Sequence, residues 1–222
     1  MTTTVNNKTL AAIDLGSNSF HMIVANVVDG NISVLDRIKE SVRMAAGLDK
    51  NRNITPEASE RALECLRQFG QRINGLPEDA VSAVGTNTLR RAKNSAAFLV
   101  EARKALGYDI ETITGLEEAR LVYLGVAHSM AGADGTRLVV DIGGGSTEVI
   151  IGEQFDTLYR ESLHMGCVSM SQAFFSDGKL SKSAMRRARY EARQELRSIR
   201  GFYKSHGWNT AIGASGTIKA IG

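Results

Sequence analysis

The stretch Asp141-Ile142-Gly143-Gly144-Gly145-Ser146-Thr147-Glu148 lies between the apolar runs Leu138-Val139-Val140 and Val149-Ile150-Ile151. Two strand patterns joined by glycines describe a tight hairpin, with one carboxylate leaving the first strand and another entering the second. Glycines let backbone N–H groups approach an anion closely, Ser146 and Thr147 add hydroxyl donors, and the flanking acids suit a divalent cation. Phosphate with Mg²⁺ is the chemistry implied. The same spacing fits a plain turn whose acid caps its own backbone, and a second copy weighs toward the first reading.

That copy is Asp14-Leu15-Gly16-Ser17-Asn18-Ser19, between Leu10–Ile13 and Phe20–Val27. Asp14, Gly16 and Ser19 precede Asp141, Gly143 and Ser146 by 127 residues, and Gly85-Thr86 precedes Gly213-Ala214 by 128. Landmarks in the same order at nearly the same offset mark an internal duplication. The expected fold is α/β: two duplicated βββαβαβα units with mixed sheets, the second incomplete. The boundaries are 1–131 for the first unit, with its loop at 14–19 and a helix at 116–128, then a linker at 132–136. The second unit follows at 137–222, with its loop at 141–148.

The elements that position these loops are legible in part. Asp29-Gly30-Asn31 signals a tight turn before a third strand over 32–38. Thr55-Pro56 opens a helix whose stripe is Ala58, Ala62, Leu66, Phe69 and Ile73. Short strands are expected at 81–84 and 108–114, and again at 208–212, with one amphipathic helix running from Ser181 to Tyr203. Arg90 and Arg91 stand just past a strand end, where open α/β sheets put ligands. Glu117 and Glu118 open a helix, where the helix dipole favours acids without any chemistry; a carboxylate there also suits a general base pointing into a cleft between the units.

Composition bounds the rest. The 222 residues are 43% hydrophobic and 23% charged, which suits a globular chain with a real core. A formal net charge of +3 does not announce nucleic acid. Cys65 and Cys167 form neither a zinc cluster nor a disulfide scaffold, which points to a reducing cytoplasm. The start, Met1 to Lys8, is polar, and no apolar run approaches the ~20 residues of a membrane span. His21, His128, His164 and His206 lack metal-ligand spacing. A basic series between Lys179 and Lys204 reads as a solvated helix face, or as a guide for a long polyanion.

The sequence resembles the exopolyphosphatase/guanosine pentaphosphate phosphatase family of the actin-like ATPase superfamily. The carriers are AAIDLGSNSFHM (11–22), GTNTLRRAKN (85–94), TGLEEARLVYLGV (114–126), VVDIGGGSTE (139–148), HMGCVSM (164–170) and GASGTIKA (213–220). The resemblance implies an actin-like (ribonuclease H-like) fold for both units and Mg²⁺-dependent hydrolysis of a terminal phosphoanhydride between two domains. Glu118 falls on the water-activating carboxylate, and Asp14, Asp141 and Glu148 on the metal acids. Ser17, Asn18, Arg90, Gly143, Gly144, Gly145 and Ser146 fall on phosphate-binding positions, and Gly213, Ser215, Gly216 and Thr217 near a nucleoside. Implied substrates are inorganic polyphosphate or guanosine pentaphosphate, with a homodimer at full length and neither nucleic acid nor membrane as partner. A kinase of the same superfamily and a non-catalytic nucleotide-binding regulator are the other classes open.

Overall fold

A computed structural model describes residues 7–130 and 134–221. Met1–Asn6 of the polar leader, residues 131–133 at the start of the expected linker, and Gly222 lie outside the described residues.

The first unit begins with three antiparallel strands, β1 (Asn7–Leu15), β2 (Phe20–Val28) and β3 (Asn31–Glu40). Asp29 and Gly30 both take positive φ, 49° and 81°, which matches a two-residue hairpin turn to the twist of its strands. Alternation buries Ala11, Ile13 and Leu15 of β1 with Phe20 and Met22 of β2. Against them lies α1 (Pro56–Ile73), through the stripe Ala58, Ala62, Leu66, Phe69 and Ile73 that periodicity marked. Thr55 caps this helix by accepting from the Ala58 N–H at 3.3 Å, and Pro56 occupies its first turn. Then come β4 (Val81–Gly85), parallel to β1, and α2 (Asn87–Arg91), a five-residue helix too short to show a period. Next are α3 (Ser95–Leu106) and β5 (Glu111–Thr112), where only two of the residues expected as strand at 108–114 pair. The sheet order is β3-β2-β1-β4-β5.

The helix α4 (Gly115–Ser129), which the sequence placed at the end of the first unit, packs instead on the second sheet. Ala119, Tyr123 and Ala127 bury against Val139 and Ile150, and the compact units divide between Ile113 and Thr114. The second sheet repeats the antiparallel triplet as β6 (Thr136–Ile142), β7 (Thr147–Glu153) and β8 (Asp156–Leu163). Helices α5 (Cys167–Phe174), α6 (Lys182–Glu195) and α7 (Arg197–His206) follow, then β9 (Thr210–Ala214), parallel to β6, and α8 (Ser215–Ile221). The order is β8-β7-β6-β9, four strands where the first sheet has five. Six consecutive residues of β7, Thr147–Gly152, are buried because both faces are covered, by α4 on one side and by Ile199 and Tyr203 of α7 on the other. A strand covered on both sides reads as a continuous apolar run.

Two further expectations are corrected here. The helix from Ser181 to Tyr203 is two, because Leu196 tightens to φ −73°, ψ −13°; hydrogen bonding persists across the joint, from Leu196 N–H to Ala192 O (3.1 Å) and Arg200 N–H to Leu196 O (2.9 Å). The strand expected from Trp208 begins at Thr210. The duplicated landmarks also do not sit at one level: Gly85 pairs with Leu15, whereas Gly213 pairs with Val140, two residues before the counterpart Ile142. An even shift keeps every side chain on its face. Each of these glycines is nonetheless covered by the short helix that follows, Gly85 by Leu89 and Gly213 by Ile218. No helix among the described residues is long and apolar enough to cross a membrane.

Gly70 sits on α1 where α3 ends, and a Cβ there would lie 2.6 Å from Leu106 O. Alanine normally gains about 1 kcal/mol over glycine inside a helix. Here Gly70→Ala is expected to lower stability by about 1–3 kcal/mol, the cost of overpacking, read from the urea midpoint.

Candidate active site

In the second unit the hairpin register sets the geometry. Asp141 and Glu148 are directly opposed partners on β6 and β7, so their side chains share one face. Opposed like charges destabilise a hairpin unless something neutralises them. Glu148 is only 1% exposed; its Oε1 accepts from Ser162 Oγ at 2.7 Å, and the Ser146 hydroxyl also bonds it. Burial first, and then the nearby carboxylates of Glu118 and Asp141, push the Glu148 carboxyl up to about 7. Burial likewise raises Asp141, opposed by the polar side chain of nearby Ser215. Its Oδ1 is buried with no hydrogen-bond partner among the described residues.

Glu118 reaches this pair from the first turn of α4, which Thr114 caps by accepting from the Glu117 N–H at 3.1 Å. The two acids at this turn differ in partner. Glu117 is clamped by Arg120 at 2.9 and 2.7 Å, which holds it below the usual carboxylate range, while Glu118 lies near Glu148. The structure therefore gathers Glu118, Asp141, Ser146 and Glu148 in one unit.

The loop between the strands is held from behind. The Gly143 N–H donates to Ser146 O at 3.0 Å, and the first turn of α5 donates into the loop: Cys167 N–H to Gly143 O (2.9 Å), Val168 and Ser169 N–H to Gly144 O (2.9 and 3.1 Å). These amides are the ones a helix leaves unsatisfied at its start. Because a trans peptide aims its N–H opposite its C=O, the N–H groups of Gly144 and Gly145 point away from α5. No hydrogen bond engages the N–H of Gly144, Gly145 or Ser146 among the described residues. Gly166 makes this approach possible, since a Cβ there would lie 2.5 Å from the Gly144 carbonyl carbon and 2.6 Å from Gly145 N. At the far edge Ser215, at φ 68°, donates from Oγ to Ile142 O at 3.0 Å. Gly213 is the penultimate residue of β9, and Gly216 and Thr217 follow Ser215 in the first turn of α8.

In the first unit the loop is built differently. Asp14 is exposed and opposed by His21, not by an acid; burial and then Lys39 lower the His21 pKa, so it is neutral at pH 7. Ser17 is buried and its Oγ accepts from Thr88 Oγ1 at 2.8 Å. Ala45 and Arg43 donate their N–H groups to the carbonyls of Ser17 and Asn18, both at 2.8 Å. Arg90, on α2, donates to Ile113 O at 2.9 Å. Asp14, Ser17 and Asn18 thus share one loop, and Thr88 beneath it and Gly166 in the second unit are supporting residues that sequence reasoning did not single out. The GTNT and HMGCV strings that carry them were available signals.

The model of the Ppx/GppA phosphatase family matches residues 23–222. The chain belongs to the Ppx/GppA phosphatase family. It is 48% identical over 216 residues to a Haemophilus influenzae protein named as a candidate exopolyphosphatase, covering 97% of this chain and 67% of that one. It is also 48% identical to the Vibrio vulnificus guanosine-5'-triphosphate,3'-diphosphate pyrophosphatase, covering 97% of this chain and 43% of the relative. It thus spans less than half of the Vibrio relative's length. Among solved structures, the Aquifex aeolicus PPX-GPPA enzyme superposes with a TM-score of 0.77 at 29% identity, covering 96% of this chain and 69% of that one. An exopolyphosphatase from Cytophaga hutchinsonii gives 0.85 at 27%, covering 96% and 68%. The two mixed sheets are thereby those of the actin-like fold of the family's enzymes.

Whether the residues fit a metal ion is a separate question. No group of three or more His, Cys, Asp or Glu side chains among the described residues is set to hold one. Magnesium does not need such a cage, since it keeps several waters and takes one or two carboxylates with substrate phosphates. The unpartnered Asp141 Oδ1 and the buried Glu148 fit that donor set.

Two outcomes follow from this geometry. Gly166→Ala is expected to displace the Gly144–Gly145 peptide and cost about 1–3 kcal/mol, seen as a lowered urea midpoint with amide shifts confined to the loop and the start of α5. For Glu148, whose folded pKa exceeds its ordinary value of 4.5, ionisation opposes folding. The penalty is absent below pH 4.5, grows as pH rises toward 7, and is full above it, at about 3 kcal/mol for ~1.4 kcal/mol per pH unit. Without divalent cations, Glu148→Gln should therefore be more stable than the parent at pH 8 and indistinguishable at pH 4. Urea titrations at both values check the sign.

Proposed function

We propose that the protein hydrolyses terminal phosphoanhydrides, with inorganic polyphosphate as its substrate and Mg²⁺ as its metal. The observation carrying this reading is the gathering of Glu118, Asp141 and Glu148 around a glycine loop whose N–H groups turn away from α5. Phosphoryl transfer to water asks for positioning and charge stabilisation more than covalent chemistry. In this scheme the N–H groups of Gly144, Gly145 and Ser146 receive the oxygens of the terminal phosphate. The Glu118 carboxylate accepts a hydrogen bond from the attacking water and takes its proton as the new P–O bond forms and the bridging P–O bond to the terminal phosphorus breaks, the shortened phosphate chain leaving with that electron pair on its terminal oxygen. Asp141 and Glu148 would hold Mg²⁺, which when bound supplies positive charge to the phosphoanhydride oxygens. In the first unit, Asp14, Ser17, Asn18 and Arg90 are assigned to phosphate contact. The family membership supports a phosphatase of this kind, and the two free cysteines fit a reducing cytoplasm.

A second substrate is favoured by a specific finding, the relative named as a guanosine-5'-triphosphate,3'-diphosphate pyrophosphatase at 48% identity. It uses the same site, and Gly213, Ser215, Gly216 and Thr217 are then the residues nearest the nucleoside. A homodimer is assigned to the protein in either case.

Phosphate release from long-chain polyphosphate and from guanosine pentaphosphate, assayed in parallel with Mg²⁺, decides between them. Glu118→Gln should lower the rate on the preferred substrate by about 10²–10⁴-fold with unchanged unfolding. Glu117→Gln, which loses only its partly exposed pair with Arg120, should change it little. A Glu118→Gln protein as active as its parent would end the assignment, and tight binding without turnover by the parent would replace it with a regulator.

A further inference from the structure

Helices α6 and α7 carry a feature that neither the fold nor the site requires. Lys182, Arg186, Arg189, Arg193, Arg197, Arg200 and Lys204 follow one another at spacings of three or four residues. At 3.6 residues per turn they fall in one sector of about 80° and extend for about 33 Å, and hydrogen bonding continues through the joint at Leu196. All seven are exposed. None has a side-chain hydrogen bond or ion pair among the described residues. Glu191 and Glu195 lie on the far side of the helix axis, and Glu195 is already taken up by the His164 N–H at 2.9 Å.

Like charges at such spacings weaken a helix, and no acid on this face offsets them. Removing these seven alone would turn the formal net charge from +3 to −4, so the chain's basicity is concentrated here. The side chains also shape the surface. One hollow of about 600 Å³ is lined by Lys182, Arg186, Arg189 and Arg193 with Leu180 and Tyr190, and a second of about 640 Å³ by Arg193, Arg197, Arg200 and Lys204; they meet at Arg193. The α6–α7 joint lies beside the phosphate loop, since Glu195 holds His164, and Gly166 two residues on packs on Gly144.

We propose that this row is a binding track for a single extended polyanion, and that its occupant is inorganic polyphosphate; the identity of the occupant rests on the phosphohydrolase reading above. One file of cations about 5–6 Å apart matches one file of phosphates. A duplex presents two rows, and single-stranded nucleic acid is gripped by successive aromatic platforms, whereas this track offers only Tyr190. The track holds the body of a long substrate while its end is processed, so it acts on affinity for long chains and not on the chemical step.

The test uses the full chain with Arg189, Arg193, Arg197 and Arg200 all changed to Gln. A control carries the same charge loss elsewhere, with Lys8, Arg67, Arg72 and Lys104 changed to Gln. Titration with fluorescently labelled long-chain polyphosphate at 0.1 M salt should show the first variant weakened by at least ~30-fold and its log–log salt slope reduced by about 3, at ~0.7 per lost contact. The control should shift by less than ~3-fold. Hydrolysis of tripolyphosphate, too short to occupy the row, should be equal in the parent and the track variant. Unchanged polyphosphate affinity in the track variant overturns the proposal and leaves the hydrolase reading intact. A parent that hydrolyses neither substrate overturns the hydrolase reading, while the binding titration still judges the track. Oligo(dT) or anionic phosphatidylserine vesicles bound as tightly as polyphosphate would overturn its assignment to polyphosphate.

Discussion

Two carboxylates facing each other across a buried hairpin are the constraint around which the second unit is arranged. Asp141 and Glu148 repel, Glu118 adds to the repulsion, and burial removes the water that would screen it. The sheet register, the α4 packing and the Ser162 and Ser146 hydroxyls keep them together regardless. A fold keeps such an arrangement where charge is to be received from outside, and that is the usual signature of a site whose proton affinities are tuned for chemistry.

The duplication shows how one hairpin was adapted to two tasks. In the first unit the acid faces a neutral histidine, and Ser17, which stands where the second loop has Gly144, is tied down by Thr88. In the second the acid faces another acid, and the serine hydroxyl bonds a carboxylate. The backbone turn is common to both, while the ionisable groups have diverged. The first loop is fitted to contact, and the second concentrates negative charge.

Much of this was legible in the sequence because glycine turns, aspartates and capping residues act locally. The paired loops, the Thr55 cap and the α1 stripe all follow from short-range patterns, whereas only the family resemblance singles out Glu118 over Glu117. What escaped depends on distance. That α4 belongs with the second sheet is decided by Tyr123 and Ala127 meeting Val139 and Ile150, which no local period encodes. The brief α2 has no room for a period, and α5 is shaped by the loop it caps. Gly166 looks like any glycine until the Gly144 peptide is seen against it. The two-residue slip of β9 is invisible in sequence, because an even shift preserves the pattern of faces.

The bonds from Cys167, Val168 and Ser169 into Gly143 and Gly144 have one more consequence. They fix the orientation of the loop peptides before any anion arrives, because rotating the Gly144–Gly145 peptide would strand helix amides as well as a carbonyl. The donors are therefore preorganised, and little reorganisation energy accompanies the arrival of charge. The orientation of the Gly144 and Gly145 N–H groups is thus set at the start of α5, two elements away from the carboxylates that first draw attention to the loop.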